Sequence, residues 1–292
     1  MMEIPCRPRA TLVFPGTQAP MTNDHTLKPL YTGPLRHFPP ARIGGDHDPS
    51  IVPRTELLHA QRLSQRIGDY GDHCGYRRPD SRALASEWSK HYFVALMVPV
   101  VGANLLLGRD LPLSPRETGL ELDEDGLPAR LWFAHAGKPL SSMAAFGRFD
   151  ALYAHLEEMI AAFTAASGVT GKVLWSNAGN VFERFARDID RHCLAVPASG
   201  APVQQVVDSP AMPDGRPNPL FQPVRYVRGT ATKDTLRIRR LCCIRYLLPL
   251  DEDARYCGSC PIRPDNLPAV RAAGPSRKTS SSVRPPAEGP AD

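Results

Sequence analysis

The sequence RRLCC at 239–243, followed after thirteen residues by CGSCP at 257–261, decides how this chain is interpreted. Four of the seven cysteines lie within these few residues. Thiolate sulfur is a soft ligand that selects iron–sulfur clusters, zinc or Cu(I). Structural zinc sites usually take ligands in pairs about two to four residues apart. Adjacent cysteines splay their side chains apart, which fits a two-iron cluster better than a single ion.

The spacing alone leaves several interpretations open. A Cys-x-x-Cys half serves zinc sites, redox dithiols and clusters alike, whereas a [2Fe–2S] cluster needs four protein ligands, usually thiolates. A cluster and a structural zinc site are therefore about equally favoured, and a redox dithiol pair is a third interpretation.

The residues flanking the cysteines narrow this choice. The sequences CCIRYLLP at 242–249 and YCGSCP at 256–261 resemble the C-terminal signature of the ferric-siderophore reductases of the FhuF type. The resemblance implies that Cys242, Cys243, Cys257 and Cys260 hold a [2Fe–2S] cluster and that the substrate is ferric iron bound by a hydroxamate siderophore. The gap between the two halves is longer than is usual in the family. We interpret residues 250–254 as inserted material, because an acidic loop tip tolerates extra length.

Weaker similarities to the same family lie earlier in the chain. They are the Trp-Ser-Asn-Ala sequence at 175–178, the helix of Trp88 that leads to Pro99, and Asn-Pro-Leu at 218–220 before a predicted strand. The resemblance to the family therefore covers about residues 82–263.

Composition excludes several classes of protein. The net charge of +5 comes without a dense basic run interleaved with aromatic residues, so we expect no nucleic-acid partner. The odd number of cysteines argues against a secreted disulfide framework and favours a reducing, cytoplasmic compartment. No signal peptide is evident at 1–20. The longest apolar run, 93–107, is shorter than the ~20 residues of a membrane span, so at most peripheral contact with the inner face of the membrane is expected.

Missing motifs limit the chemistry. The chain has no Gly-x-Gly-x-x-Gly, no Walker-type phosphate loop and no Gly-x-Ser-x-Gly. We therefore assign no catalytic acid, base or nucleophile, and expect a separate donor to supply one electron at a time. Two other functions stay open. One is an iron–sulfur electron-transfer or iron-sensing protein without a siderophore substrate, and the other is a zinc-stabilised, non-enzymatic binding module.

The patterns predict an α+β fold, with a helix-rich domain, short antiparallel strands and a C-terminal loop-rich iron–sulfur lobe. We expect a disordered extension at 1–50, a reductase domain at 51–235, a cluster-binding segment at 236–263 and a disordered tail at 264–292.

Local signals give finer predictions. Apolar spacing predicts a helix over 82–98 that begins at Ser81 and ends before Pro99. A turn at 123–126 predicts a hairpin, and Gly168 is expected to end the helix at 149–166. Asn177 is interpreted as a helix N-cap in preference to a substrate contact. Three arginines near the cysteines either screen the cluster's charge or lie on the surface: Arg240, Arg245 and Arg255.

Overall fold

The computed structural model describes residues 27–31, 33–44, 48–192, 199–229, 234–252 and 254–272. The helices are α1 (Arg54–Leu57), α2 (Ala60–His73), α3 (Ser81–Leu107), α4 (Asp150–Ser167), α5 (Gly171–His192), α6 (Ala201–Asp208) and α7 (Leu267–Ala272). The strands are β1 (Arg42–Ile43), β2 (Ile51–Pro53), β3 (Arg109–Asp110), β4 (Thr118–Leu122), β5 (Pro128–Phe133), β6 (Lys138–Pro139), β7 (Val224–Arg228) and β8 (Thr235–Arg239). This arrangement confirms the predicted α+β class.

Helix α3 is the central element of the fold. It packs against α2, α4, α5 and strand β5. Its Trp88 is fully buried, stacks on Tyr92 at 6.1 Å between ring centroids and contacts Phe163 of α4. Burying one large side chain of this kind contributes about 1.5–3 kcal/mol. Helix α3 has buried residues from Ala83 to Asn104, so it contributes to stability over most of its length.

The prediction that this helix ends before Pro99 was wrong. Helix α3 continues through Pro99 to Leu107 and ends at Gly108, whose φ of 61° is left-handed. A proline inside a helix costs about 3 kcal/mol because it removes a hydrogen bond and clashes with the preceding turn. Here the residues from Leu96 to Val101 are all buried, and that burial offsets the cost.

The N-cap of α3 is also one residue earlier than predicted. The Asp80 side chain accepts hydrogen bonds from the backbone N–H groups of Arg82 and Ala83, at 2.9 and 3.3 Å. Ser81 is the first residue of the helix. Aspartate and serine cap helices about equally well, so the sequence could not distinguish them.

Helix α3 is long and apolar enough to cross a membrane, judged by length and composition alone. However, 72% of its most apolar 18-residue window is buried inside the fold. This burial is what a core helix shows, so the helix is weak evidence for a membrane span, and peripheral membrane contact finds no support in the described residues.

The predicted hairpin forms the middle of a four-stranded sheet. The strand order is β1-β5-β4-β2, and β1 pairs with β5 in parallel while the other neighbours are antiparallel. The Asp123 carboxylate accepts the backbone N–H groups of Asp125 and Leu127, which closes the turn. Trp88 donates its ring N–H to the carbonyl oxygen of Gly126 at 3.0 Å, so the turn is fixed to α3.

Part of the expected N-terminal extension belongs to the core. Leu27, Leu30 and Leu35 are at most 5% exposed and join the main apolar cluster. Strand β1 lies in the same segment and pairs with β5. The prediction of a segment outside the fold missed this packing because three leucines spread over nine residues give no helical or strand period. Residues 1–26 and 273–292, which the predictions also cover, lie outside the described residues.

Helix α4 ends as predicted, at Gly168 with a φ of 76°. It carries His155, which is 1% exposed and whose ring nitrogen Nε2 lies 2.7 Å from the Tyr92 hydroxyl oxygen. Burial, together with the nearby charge of Arg54, lowers the pKa of His155 well below 6.5. The folded protein therefore holds this imidazole neutral.

Acid should destabilise the fold through His155. Below pH 6.5 the unfolded chain binds a proton at this histidine and the folded chain does not, so the free energy of unfolding falls as the pH falls. The limiting slope is about 1.4 kcal/mol per pH unit for one proton. We expect His155→Gln to remove this slope between pH 6.5 and 5 in urea unfolding. Substituting the exposed His73 with glutamine is the matched control, and equal slopes in the two variants would contradict the prediction.

Candidate metal centre

The four cysteines lie together beyond the end of β8. The Sγ atoms of Cys243 and Cys257 are 3.7 Å apart, and the Cys260 thiol contacts those of Cys242 and Cys257. Cys243 and Cys260 are 1% and 2% exposed, whereas Cys242 and Cys257 are partly exposed. Folding therefore brings the two halves of the sequence signature into one group of thiols, which is buried on one side and open on the other.

An unusual backbone turn follows the adjacent cysteines. Ile244 has a φ of 54°, in the left-handed region that a β-branched residue rarely occupies. This turn directs the Ile244 backbone N–H to the Cys242 Sγ atom, 3.3 Å away. Strain of this kind costs on the order of 1–3 kcal/mol and persists where the surrounding structure enforces it. N–H groups directed at cysteine sulfur are one of the factors that set the potential of iron–sulfur centres.

Hydrogen bonds outside the thiols also join the two halves. The backbone N–H of Arg239 donates to the Ser259 carbonyl oxygen at 2.9 Å. Arg245 donates its Nε–H to the Ala254 carbonyl oxygen at 3.0 Å. Between these two bonds the loop reaches Asp251 and Glu252, which are exposed. These two residues of the stretch interpreted as inserted therefore lie at an exposed tip of the loop.

Helix α3 forms the floor beneath Cys243. Ser86 donates its hydroxyl to the Cys243 carbonyl oxygen at 2.7 Å, and the Lys90 Nζ atom lies 3.9 Å from the Cys243 Sγ atom. Glu87 stands between two cations, because it forms ion pairs with Lys90 and with Arg245. A buried charge is costly unless it is compensated, and here two ion pairs compensate the carboxylate, whose Oε1 atom also accepts a hydrogen bond from Arg245.

Helix α5 contributes the second part of the floor. Asn177 lies inside α5 and is fully buried, so its interpretation as an N-cap was wrong. Its side-chain amide donates to the Ser86 and Ser89 hydroxyl oxygens, both at 3.0 Å. Its carbonyl oxygen accepts from Arg239, which also donates to the Ser176 hydroxyl oxygen at 3.1 Å. Asn177 therefore connects α3, α5 and the strand that leads to the cysteines.

An ion pair attaches the β7–β8 hairpin to α5. Arg237 pairs with Glu183 and donates to the Asn180 side-chain oxygen at 2.8 Å. Tyr226 of β7 donates its hydroxyl to the same glutamate. Gly179 lets the chain approach closely at this point, because a Cβ atom there would lie 2.8 Å from Pro223. Asn180 thus helps to hold the hairpin against α5.

Hydrogen bonds among the thiols separate their pKa values. The thiols of Cys242 and Cys257 donate to Cys243, and the charges of Lys90 and Arg239 add to this effect, so the pKa of Cys243 falls well below its usual value. The same bonds to Cys243 raise the pKa of Cys242 and that of Cys257. Hydrogen bonding from Cys257 lowers the pKa of Cys260 to about 6. Thiolates are the form that binds metals, and two of the four sulfurs are already disposed to be thiolates.

The distance between the sulfurs of Cys243 and Cys257 is that of two thiolates bound to one metal ion. Two sulfurs bound tetrahedrally at about 2.3 Å from one metal ion lie about 3.8 Å apart, close to the 3.7 Å between Cys243 and Cys257. Within the described ranges, no group of three or more histidine, cysteine, aspartate or glutamate side chains is placed so that it could hold a metal ion.

Of the three arginines that the sequence left as either cluster-screening or surface residues, two lie at the surface. Arg240 is exposed, donates to Gln222 and lies over the Phe221 ring. Arg255 is also exposed. Lys90 and Arg239, to which the sequence interpretation gave no role, are the cations that act on Cys243. The available signal was a polar stretch, Ser86 to Lys90, inside an otherwise apolar helix.

The protein is an α+β domain in which two central helices lie beneath a group of four cysteines. Such a group is typical of proteins that bind metals or carry out thiol redox chemistry. Comparison with known proteins identifies it further. The model of the ferric iron reductase FhuF-like transporter family matches residues 86–233, just over half of the chain, and the protein belongs to this family. The match includes the floor residues of α3 and α5 and ends before Cys242. A ferric siderophore reductase of Escherichia coli (strain K12) is 26% identical over 207 residues, which cover 69% of this chain and 75% of the relative.

Loss of Asn177 should destabilise the fold through Arg239. In Asn177→Leu the buried guanidinium keeps its bond to Ser176 but loses the amide oxygen, and hydrogen bonds to charged groups contribute about 1.5–3 kcal/mol. We expect a loss of about 3 kcal/mol in the free energy of unfolding, measured with urea under anaerobic conditions. Gln204→Ala, on the exposed face of α6, is the control and should stay within about 0.5 kcal/mol of the unsubstituted protein. A leucine variant as stable as this control would contradict the role given to Asn177.

Proposed function

We propose that this protein is a ferric-siderophore reductase, which delivers one electron to ferric iron in a hydroxamate chelate through a [2Fe–2S] cluster held by Cys242, Cys243, Cys257 and Cys260. The observation that supports it best is the contact of these four thiols on a domain of the FhuF-like family. The name of the Escherichia coli relative supports the same substrate. In this proposal residues 51–235 form the reductase domain and residues 236–263 the cluster-binding segment.

The chemistry requires only one electron for each iron. Hydroxamate oxygens are hard ligands that hold Fe(III) far better than Fe(II). The four cysteines would hold a cluster that would supply one-electron transfer from a separate donor to the chelated iron. The products are Fe(II) and the free siderophore, and no bond to carbon is made or broken. No general acid, base or nucleophile is needed, in agreement with the absence of such motifs.

The chain's own residues hold the centre and exclude water from one side of it. Cys243 and Cys260 are buried, while Cys242 and Cys257 are partly exposed. An electron therefore has its shortest way to an outside partner through the exposed pair. The chemistry requires reduced thiolates and yields Fe(II), so we place the reaction in the cytoplasm, where thiols stay reduced.

Metal content and iron release test the function together. The full chain, purified without oxygen, should contain two irons and two acid-labile sulfides per molecule. Its visible absorption should bleach on reduction. Mixing the reduced protein with a ferric tris-hydroxamate should release Fe(II), followed with a ferrous-specific chelator, at a rate that saturates with chelate concentration. Cys243→Ser should lower iron content and rate by more than about tenfold, since changes around metal ligands alone cost 10–100-fold.

Cys74→Ser is the matched control, because Cys74 lies outside the four-cysteine group. It should keep the iron content and the rate. The other candidate functions give different results. A cluster without saturable release would indicate an electron-transfer or iron-sensing protein, and a colourless protein with one zinc would indicate a binding module. Either result would refute the proposed reductase.

A further inference from the structure

We propose that two buried cations, Lys90 and Arg239, set the reduction potential of the centre by balancing its negative charge from the protein side. This inference rests on the proposed function, because it concerns the cluster that the four cysteines would hold. Both residues are positioning residues: they act on the centre through their charge and have no assigned contact with the substrate.

Arg239 is a buried charge that forms no ion pair with any of the described residues. Its residue is 1% exposed. Its hydrogen bonds go to two neutral side chains, Asn177 and Ser176, and its Nε atom has no partner. Burial of an unpaired cation is strongly unfavourable. Its backbone N–H donates to Ser259, and its hydrogen-bond network continues through Asn177 and Ser86 to the Cys243 carbonyl oxygen. The cysteine sulfurs are therefore the anions that this part of the fold offers to Arg239.

Lys90 approaches the same sulfur from α3. Its Nζ atom is 3.9 Å from the Cys243 Sγ atom, and its side chain is only 18% exposed. Glu87 neutralises part of this charge, but it is shared with Arg245. Two cations and one carboxylate leave one net positive charge on this side of Cys243.

The net positive charge of the protein residues equals the net negative charge of the oxidised cluster. Arg239 and the group formed by Lys90, Glu87 and Arg245 together supply two net positive charges. Two ferric ions, two sulfides and four thiolates carry two net negative charges, and reduction by one electron adds a third. The buried cations stabilise both states, but they stabilise the reduced, more negative state more. Each cation therefore raises the potential, and its effect is large because the surroundings are of low dielectric.

The exposed arginines nearby cannot replace this effect. Arg240 and Arg255 lie in solvent, where water and salt screen a charge strongly. Arg240 is adjacent in sequence to Arg239 and only three residues before Cys243, so it is a matched control for position along the chain. The two arginines carry the same charge at neighbouring positions, and they differ in that Arg239 is buried and Arg240 is exposed.

The test is a redox titration of the full chain with its cluster, followed by visible absorption and electron paramagnetic resonance. At the midpoint potential of the unsubstituted protein, Arg239→Gln and Lys90→Gln should each raise the ratio of oxidised to reduced centre by tenfold or more. For a one-electron step this corresponds to a midpoint lower by at least about 59 mV. Arg239→Lys and Lys90→Arg, which keep the charge, should stay within threefold, and Arg240→Gln should not change the ratio.

A variant that is expected to raise the midpoint potential keeps the test decisive if the neutral variants fail to assemble a cluster. Glu87→Gln removes a negative charge beside Lys90, so it should shift the midpoint upward and lower the same ratio. If Arg239→Gln or Lys90→Gln binds no iron, this upward shift decides the matter. Midpoints that remain unchanged in the neutral variants, or fall in Glu87→Gln, would overturn the inference while leaving the reductase intact. An unsubstituted protein that assembles no cluster would instead refute the proposed function.

Discussion

The buried guanidinium of Arg239 is the constraint on which this end of the molecule depends. It reaches Asn177 on α5, Asn177 reaches Ser86 on α3, and the Ser86 hydroxyl donates to the Cys243 carbonyl oxygen. The backbone of the same arginine also bonds to Ser259 of the second cysteine half. One residue thus links two core helices to both parts of the cysteine group. Because these hydrogen bonds join residues that lie far apart in the sequence, the cysteine group and the helical core depend on each other's folding.

The register of β8 explains how Arg239 reaches this position. Side chains two residues apart in a strand lie on the same face, so Arg237 and Arg239 both point to α5. Arg237 is fixed there by its ion pair with Glu183. The residue between them, Ile238, is 1% exposed and packs on the other face against Val227. A slip of one residue would exchange these faces, which would bury the apolar side chain against the polar groups of α5 and expose both arginines.

The sequence predicted what depends on short-range chemistry. The ends of helices at glycine, the hairpin turn and the proximity of cysteines belonging to a family signature are of this kind. It did not predict what depends on contacts between distant residues. Asn177 carries an ordinary capping side chain, and only its packing against Ser86, ninety-one residues away, shows that it belongs to a buried network. Likewise, proline ends most helices, and only the burial of the residues around Pro99 lets α3 continue. Leu27 and the leucines that follow it show no helical or strand periodicity, so the sequence pattern could not predict that they belong to the core.

The centre has two unlike sides, and they come from different parts of the chain. The buried side is formed by Ser86, Lys90 and Asn177, which lie within the range matched by the family. The open side is formed by the cysteine segment beyond that range, where Leu241 and Ile262 are 44% and 37% exposed beside the partly exposed sulfurs. Under the proposed function, charge on the buried side therefore acts on the centre from α3 and β8, while the partly exposed sulfurs are left free to face the substrate.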